Sequence, residues 1–398
     1  MAIEKTPLAA PLAMNGSAHL AELDASRLVV TLAKTLQPLP ENPHFGEIKT
    51  DHMLMATYEP KTGWSAPEIK PYGPISLDPA SSCFQYCPNV FEGMKAYRGP
   101  NGEPRLFRPK LNMERLARSA ERVALPPFDT NAVLTLIKRL VAIDARWIPT
   151  KPGHSLYIRP TIIGTRAALG VAASDSAMLY VIMTPTGPYF NTANAKGIPL
   201  LAVGTTVRSW PGGTGGHKLG LNYAPGFLPQ RLAAEQGYSQ ILWLLGDDHK
   251  ITEAGAMNFF AVVARDDGDL DVVTPPLDGT ILPGLTRLSC LALLDAHTAR
   301  RTVLPGLRPA LRLHTHERAL TMPELAAWSA EGKLLEAFCV GTAVAVAPVG
   351  RIGWEGKDLV MPSEETGLGE VGKALLERVL DIQTGRVEWE GWSVVCEV

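Results

Sequence analysis

The sequence predicts an α+β fold in two halves, and three observations carry that prediction. Strand patterns come in clusters rather than in strict β-α-β alternation. A stretch dense in turn residues, including Pro185, Gly187, Pro188, Asn191, Asn194 and Gly197, separates two sets of clusters. A chain of 398 residues, 46% hydrophobic and 20% charged, has apolar material for more than one core.

The elements follow in order. Residues 1–28 mix Ala, Leu and Pro with weak periodicity and read as a partly mobile extension. The first half, 29–186, holds a strand ending over 105–107. A helix capped by Asn112 follows, with Met113, Leu116, Ala120 and Val123 on one face. A second helix covers about 130–147, then strands at 155–163 and 177–184. Residues 187–199 form the loop between the halves. The second half, 200–398, opens with a strand over 200–207, a glycine-rich turn and a helix from about 225 to 236. Strands at 240–245, 250–254, 258–263 and 271–274 come next. A helix starts near Leu285, with Leu288, Leu291 and Ala292 on one face. A helix at 322–331, strands at 335–339 and 343–347, and a closing helix within 366–382 complete the chain.

Charge and cysteine content exclude several classes. Lys and Arg number 38 against 40 Asp and Glu, so no basic stripe is available for nucleic acid. The longest apolar run, 338–349, is broken by Gly341 and Thr342 and falls short of the roughly 20 residues of a membrane span. Cys83, Cys87, Cys290, Cys339 and Cys396 are scattered and odd in number, as in a reducing compartment. Cys83 and Cys87 could share a metal, but no second pair completes a site, so no metal is expected. The N-terminal stretch lacks a basic-then-apolar signal and contains Glu4, Glu22 and Asp24, which makes the cytoplasm the expected location rather than the mitochondrion.

Five constellations could carry chemistry. In Ser209-Trp210-Pro211-Gly212-Gly213-Thr214-Gly215-Gly216-His217-Lys218 the glycines allow close backbone approach to a ligand. His217 before the lysine and Leu219 after it break the P-loop pattern, and a lysine after glycines is usually a solvated loop residue. Glu253, beside Ala254 and Gly255 and ahead of an apolar strand, is either a buried carboxylate needing a cationic partner or an edge residue facing water. Leu282-Pro283-Gly284-Leu285-Thr286 starts a helix, where free N–H groups could seat a phosphate, though many such starts bind nothing. Arg115 could clamp a phosphate or join Arg118 and Arg122 in a solvated stripe. Val340-Gly341-Thr342-Ala343 could aim N–H groups at a carboxylate or be a plain hairpin. Together they describe one chemistry. A lysine can bind an aldehyde, a carboxylate can pair with a pyridinium nitrogen, and a helix start with an arginine can hold a phosphate, which is the equipment for pyridoxal 5'-phosphate (PLP).

The order and spacing of these segments resemble the branched-chain amino acid aminotransferases, a family of fold-type IV PLP enzymes. Matching stretches are Asn89-Val90-Phe91-Glu92-Gly93-Met94-Lys95-Ala96, Leu106-Phe107-Arg108-Pro109, Tyr157-Ile158-Arg159-Pro160, Lys218-Leu219-Gly220-Leu221-Asn222-Tyr223, Thr252-Glu253-Ala254-Gly255-Ala256-Met257-Asn258 and Gly279-Thr280-Ile281-Leu282-Pro283-Gly284. The resemblance runs from about Asp51 to Ile382 and is to the longer, eukaryotic-type members. It implies two domains, each on a mixed or antiparallel sheet with flanking helices, the second holding PLP. It implies reversible ping-pong transfer of the amino group of leucine, isoleucine or valine to 2-oxoglutarate.

The resemblance also implies roles. Lys218 is the lysine that holds the cofactor and moves the proton, and Glu253 is the partner of the ring nitrogen. Tyr223, with Arg208 nearby, serves the phenolic oxygen; Arg115, Leu285 and Thr286 serve the phosphate. Thr342 and Ala343, assisted by Tyr86, receive the substrate carboxylate. Phe91, Tyr157, Arg159 and Tyr189 form the side-chain pocket. A loop matching Leu169-Gly170-Val171 closes the pocket of the other subunit, which implies a homodimer. Ala256 stands where such members usually carry Thr, and Val344 and Ala347 replace a Cys-x-x-Cys pair, so no thiol switch is expected there. The competing expectations are another fold-type IV enzyme (a D-amino acid aminotransferase or an aminodeoxychorismate lyase) and a non-catalytic phosphate-binding module.

Overall fold

A computed structural model describes residues 20–188, 197–362 and 367–397. Its architecture is α+β, organised by two sheets. The first is centred on the ten-residue strands Ser155–Gly164 and Ala177–Thr186, rich in β-branched and aromatic residues and paired antiparallel along their whole length. His52–Glu59 extends this sheet on one side and Met94–Arg98 then Pro104–Phe107 on the other. Val29–Val30 pairs parallel with Glu68–Pro71 at one edge, so the sheet is mixed. Helices Pro109–Arg122 and Thr130–Ile143 turn Met113, Leu116, Val133, Leu136 and Ile137 onto it, and these residues form one core with Leu156, Ile158 and Leu179.

The second sheet closes on itself. Lys250–Ala254 pairs with Gln240–Leu245 on one side and with Met257–Ala264 on the other. The circuit runs on through Ile198–Val203, Ala345–Trp354 and Leu334–Gly341 back to Met257–Ala264. Leu270–Thr274 and Leu313–Glu317 extend it outward. Helices Leu285–Thr298 and Glu370–Gln383 pack Leu293, Leu294, Leu375 and Val379 against Phe260 and Phe338. Among the described residues, no helix is long and apolar enough to cross a membrane.

Several boundaries differ from the sequence expectation, each for a local reason. Asn112 does not cap its helix. Pro109 starts it, with its ring already holding φ in the helical range, and Arg108 precedes it at φ 47°. The strand expected over 200–207 is Ile198–Val203 and stops before Gly204. The strand expected at 343–347 is Ala345–Trp354, because 342–344 make the turn. The last strand, Ser393–Val395, expected with the second half, pairs with Pro104–Phe107 and so ends the chain on the first sheet. Strand His52–Glu59 went unforeseen, because its Met, Leu and Ala carry little β signal.

Candidate active site

Lys218 sits where the two sheets meet. Its N–H donates to Ser119 Oγ at 2.9 Å, and its carbonyl accepts from Phe91 N at 3.2 Å. Its Nζ lies 3.1 Å from Tyr223 Oη and 4.9 Å from the centroid of the Phe91 ring. Asn222 fixes the loop on either side: its Nδ2 donates to Thr214 O and His217 O, and its Oδ1 accepts from Thr214 Oγ1 at 2.6 Å. The glycines at 212–216 line no part of the cavity that Lys218 faces.

That cavity, about 430 Å³, is lined by Lys218, Tyr223, Glu253, Arg115, Phe91, Tyr157, Arg159, Leu285, Thr286, Thr342 and Ala343. Glu253 is buried on strand Lys250–Ala254, and Arg208 Nη1 approaches its Oε2 to 2.6 Å. Burial pushes the carboxyl above its ordinary range, against the pull of Arg208. The angle between these atoms makes no hydrogen bond, so Glu253 Oε2 has no hydrogen-bond donor among the described residues. Arg208 itself lies behind Glu253, outside the cavity lining, with its guanidinium 5.6 Å from the Tyr223 ring.

Glu253 pairs across the sheet with Asn258, and both hold the loop that leads into helix Leu285–Thr298. Asn258 Nδ2 donates to Leu282 O at 3.0 Å, while Leu282 N approaches Glu253 Oε1 at 3.4 Å. Gly284 precedes the helix because a Cβ there would collide with Asn258 Oδ1. The helix therefore presents its first N–H groups, at Leu285 and Thr286, to the cavity.

Arg115 is separated from the rest of its stripe: Arg118 and Arg122 are exposed, while Arg115 is 3% exposed. A bidentate pair holds it, Nε to Glu92 Oε1 at 2.7 Å and Nη2 to Glu92 Oε2 at 2.8 Å, with Nη1 on Pro283 O at 3.0 Å. Asn112 Nδ2 also donates to Glu92 Oε2, so Asn112 works from the inner face of the helix. Glu92 falls at a break between strands Asn89–Phe91 and Met94–Arg98, both of which pair with Ser155–Gly164. Opposite the break stands Pro160, which has no N–H to give the ladder and only accepts from Glu92 N.

The chain matches the family model for amino-transferase class IV over residues 89–352. The mitochondrial branched-chain-amino-acid aminotransferase of Schizosaccharomyces pombe is 46% identical over 94% of this chain and 85% of its own length. The chain belongs to the branched-chain-amino-acid aminotransferase family, within the class IV aminotransferases. Another relative of this aminotransferase is the cytosolic enzyme of Saccharomyces cerevisiae, 44% identical over 94% of this chain and 98% of its own. A solved branched-chain amino acid aminotransferase of T.th. with pyridoxamine 5'-phosphate superposes with a TM-score of 0.66 at 25% identity, covering 86% of this chain and 98% of that one. The fold is thus that of the fold-type IV aminotransferases.

Tyr86, Leu169 and Val171 do not reach this aminotransferase cavity. Tyr86 Oη donates to Leu169 O in an exposed cluster where Val171 is 86% exposed. The expectation that Tyr86 assists at the Thr342 turn is therefore not met within one chain, because its hydroxyl is tied to the 169–171 loop. Tyr189 lies outside the described residues. Phe45 and Gln240 also line the cavity and carry no sequence signal of their own, while Met257, Asn258 and Val340, which line it too, stand out in sequence only as members of the 252–258 and 340–343 stretches. Phe45 packs edge-on to Tyr157 at 4.8 Å, a contact with no local sequence signal. Glu92 stands out in sequence only as part of the 89–96 stretch. A glutamate between Phe91 and Gly93 in an apolar strand was its available signal.

Proposed function

We propose that this enzyme is a PLP-dependent branched-chain-amino-acid aminotransferase that moves the amino group of leucine, isoleucine or valine to 2-oxoglutarate. The observation that carries this reading is the convergence of Lys218 Nζ, the under-donated Glu253 carboxylate and a helix N-terminus on one cavity. Those residues fit the cofactor. Glu253 Oε2 needs a donor such as a ring N–H, and Leu285 and Thr286 N–H groups with Arg115 suit a phosphate. Tyr223 Oη is set beside Lys218 for a phenolic oxygen. PLP would supply an aldehyde for Lys218 to hold and a protonated ring that draws electrons from the substrate Cα.

The chain's own residues do the rest. Lys218 Nζ takes the proton from the substrate Cα, and in the return half-reaction gives one to the Cα of the incoming 2-oxo acid. The N–H groups of Thr342 and Ala343, at a hairpin tip, receive the α-carboxylate. Phe91, Tyr157, Phe45, Met257 and Val340 offer an apolar surface for a branched side chain. Arg159 Nε is buried without a hydrogen-bond partner among the described residues, and Nη2 donates to Tyr157 Oη at 3.0 Å. It suits the second carboxylate of glutamate. Replacing Glu253 with Gln is expected to leave cofactor bound and slow Cα proton removal about 100-fold, read in single turnover. Unchanged turnover would remove its role. Leucine should bleach the visible band of the enzyme and 2-oxoglutarate restore it; a response to D-alanine instead would favour a D-amino acid aminotransferase.

We also propose a homodimer, in which Tyr86, Leu169 and Val171 close the partner's pocket. Phe84, Leu169 and Val171, on the two segments that the Tyr86–Leu169 hydrogen bond joins, are exposed by 61%, 66% and 86%, which solvent does not favour. Val171→Asp is expected to weaken the dimer in ultracentrifugation and raise the leucine KM about tenfold. The proposed location is the cytosol. Five unpaired cysteines suit a reducing compartment, relatives occur in both cytosol and mitochondrion, and cell fractionation decides between them.

A further inference from the structure

The hairpin tip of the proposed carboxylate site is strained and borders two cavities. Gly341 pairs with Ala345 across a loop of Thr342, Ala343 and Val344. Ala345 closes that loop at φ 56°, a left-handed conformation that a Cβ disfavours. Such strain persists only where the surroundings over-determine it. Behind the tip, Val344 packs against the core of the second sheet. Ala343 and Val344 line the catalytic cavity on one side and a second cavity of about 790 Å³ on the other. The tip is a wall between two spaces.

One side chain crosses from the other sheet to hold it. Lys95, on strand Met94–Arg98 and paired in register with Tyr157, donates from Nζ to Ala343 O at 2.7 Å. The two residues are 248 positions apart in sequence. Burial pushes the Lys95 ammonium down to about 8, and among the described residues no carboxylate offsets that cost. A cation held at a cost in stability, on the peptide next to the substrate site, is better explained by binding than by folding.

We infer that Lys95 is a positioning residue for the substrate, gripping the Ala343 carbonyl so that the Thr342 and Ala343 N–H groups stay presented to the α-carboxylate. This rests on the reading of that tip as the carboxylate site. Lys95→Met removes the donor and keeps most of the volume. Two affinities of the holoenzyme are compared: inhibition by 4-methylpentanoate, which has the carboxylate and branched chain of leucine without its amine, and retention of PLP in equilibrium dialysis. Inhibition is expected to weaken about tenfold, with the leucine KM rising alongside, while kcat and PLP retention stay within about threefold. Lys95→Arg keeps a cationic donor, stands in if Lys95→Met does not fold, and is expected to stay within about threefold of wild type. Unchanged inhibition in Lys95→Met would overturn the inference and leave the proposed function standing. Equal loss of inhibition and PLP retention would overturn it too, as the mark of a general structural role, and so would a tenfold loss in Lys95→Arg. A wild-type enzyme that 4-methylpentanoate does not inhibit would instead refute the assignment of the tip itself.

Discussion

Lys218→Ala is expected to lower kcat/KM for leucine by about 10,000-fold or more while leaving the fold intact. The size follows from the two roles proposed for Lys218, both lost at once: the amine that holds the cofactor and the base that moves the Cα proton. The fold should survive because Lys218 is tied in by its backbone, to Ser119 Oγ and Phe91 N, and those bonds do not need its side chain. Among the described residues its Nζ makes one protein hydrogen bond, to Tyr223 Oη. Circular dichroism and the melting temperature should therefore change little. A Lys218→Ala enzyme that keeps more than about a hundredth of wild-type turnover would mean that another base serves the Cα proton.

The second large effect is on stability. Glu92 is fully buried and accepts from Arg115 Nε and Nη2, Asn112 Nδ2 and Gly93 N. Glu92→Ala would leave the Arg115 guanidinium buried without its counter-charge, a loss of about 3–5 kcal/mol. PLP retention should fall with it, since Arg115 would no longer be held beside Leu285 and Thr286. The double variant Glu92→Ala, Arg115→Met separates the two consequences. It should recover much of the stability, because no charge is left stranded, but not the cofactor affinity. Denaturant unfolding and equilibrium dialysis measure the two. A double variant no more stable than Glu92→Ala would show that the cost lay in lost packing rather than in stranded charge.

How much of this was legible in the sequence depends on how local the cause is. The α+β class, most helices and the strands at 240–245 and 250–254 follow from periodicity within short windows. Lys218, Tyr223, Glu253 and the helix start at Leu285 are legible as chemistry because their combination suits PLP and their order and spacing resemble the branched-chain aminotransferases, although none stands out alone. The closure of the second sheet into a ring is not legible, since it depends on pairings such as that of Ile198–Val203 with Ala345–Trp354, far apart in the chain. The return of Ser393–Val395 to the first sheet is hidden for the same reason: a three-residue strand has no pattern of its own. Arg115 shows the limit at a single side chain. Its spacing to Arg118 and Arg122 fits a solvated stripe, and partners remote in sequence, Glu92, 23 residues earlier, and the Pro283 carbonyl, draw it inward. Tyr86 shows a different limit: within one chain its hydroxyl is tied to the exposed 169–171 loop, away from the Thr342 turn, so a place at a substrate site depends on a second subunit that one sequence does not display.

The central claim is that Lys218 holds PLP and that the surrounding residues are arranged about that bond. Borohydride reduction of the purified holoenzyme, followed by proteolysis and mass mapping, tests it most directly. The account predicts one pyridoxyl group per chain, on Lys218, and none on Lys95. A pyridoxyl group on another lysine, or none on any, would contradict it.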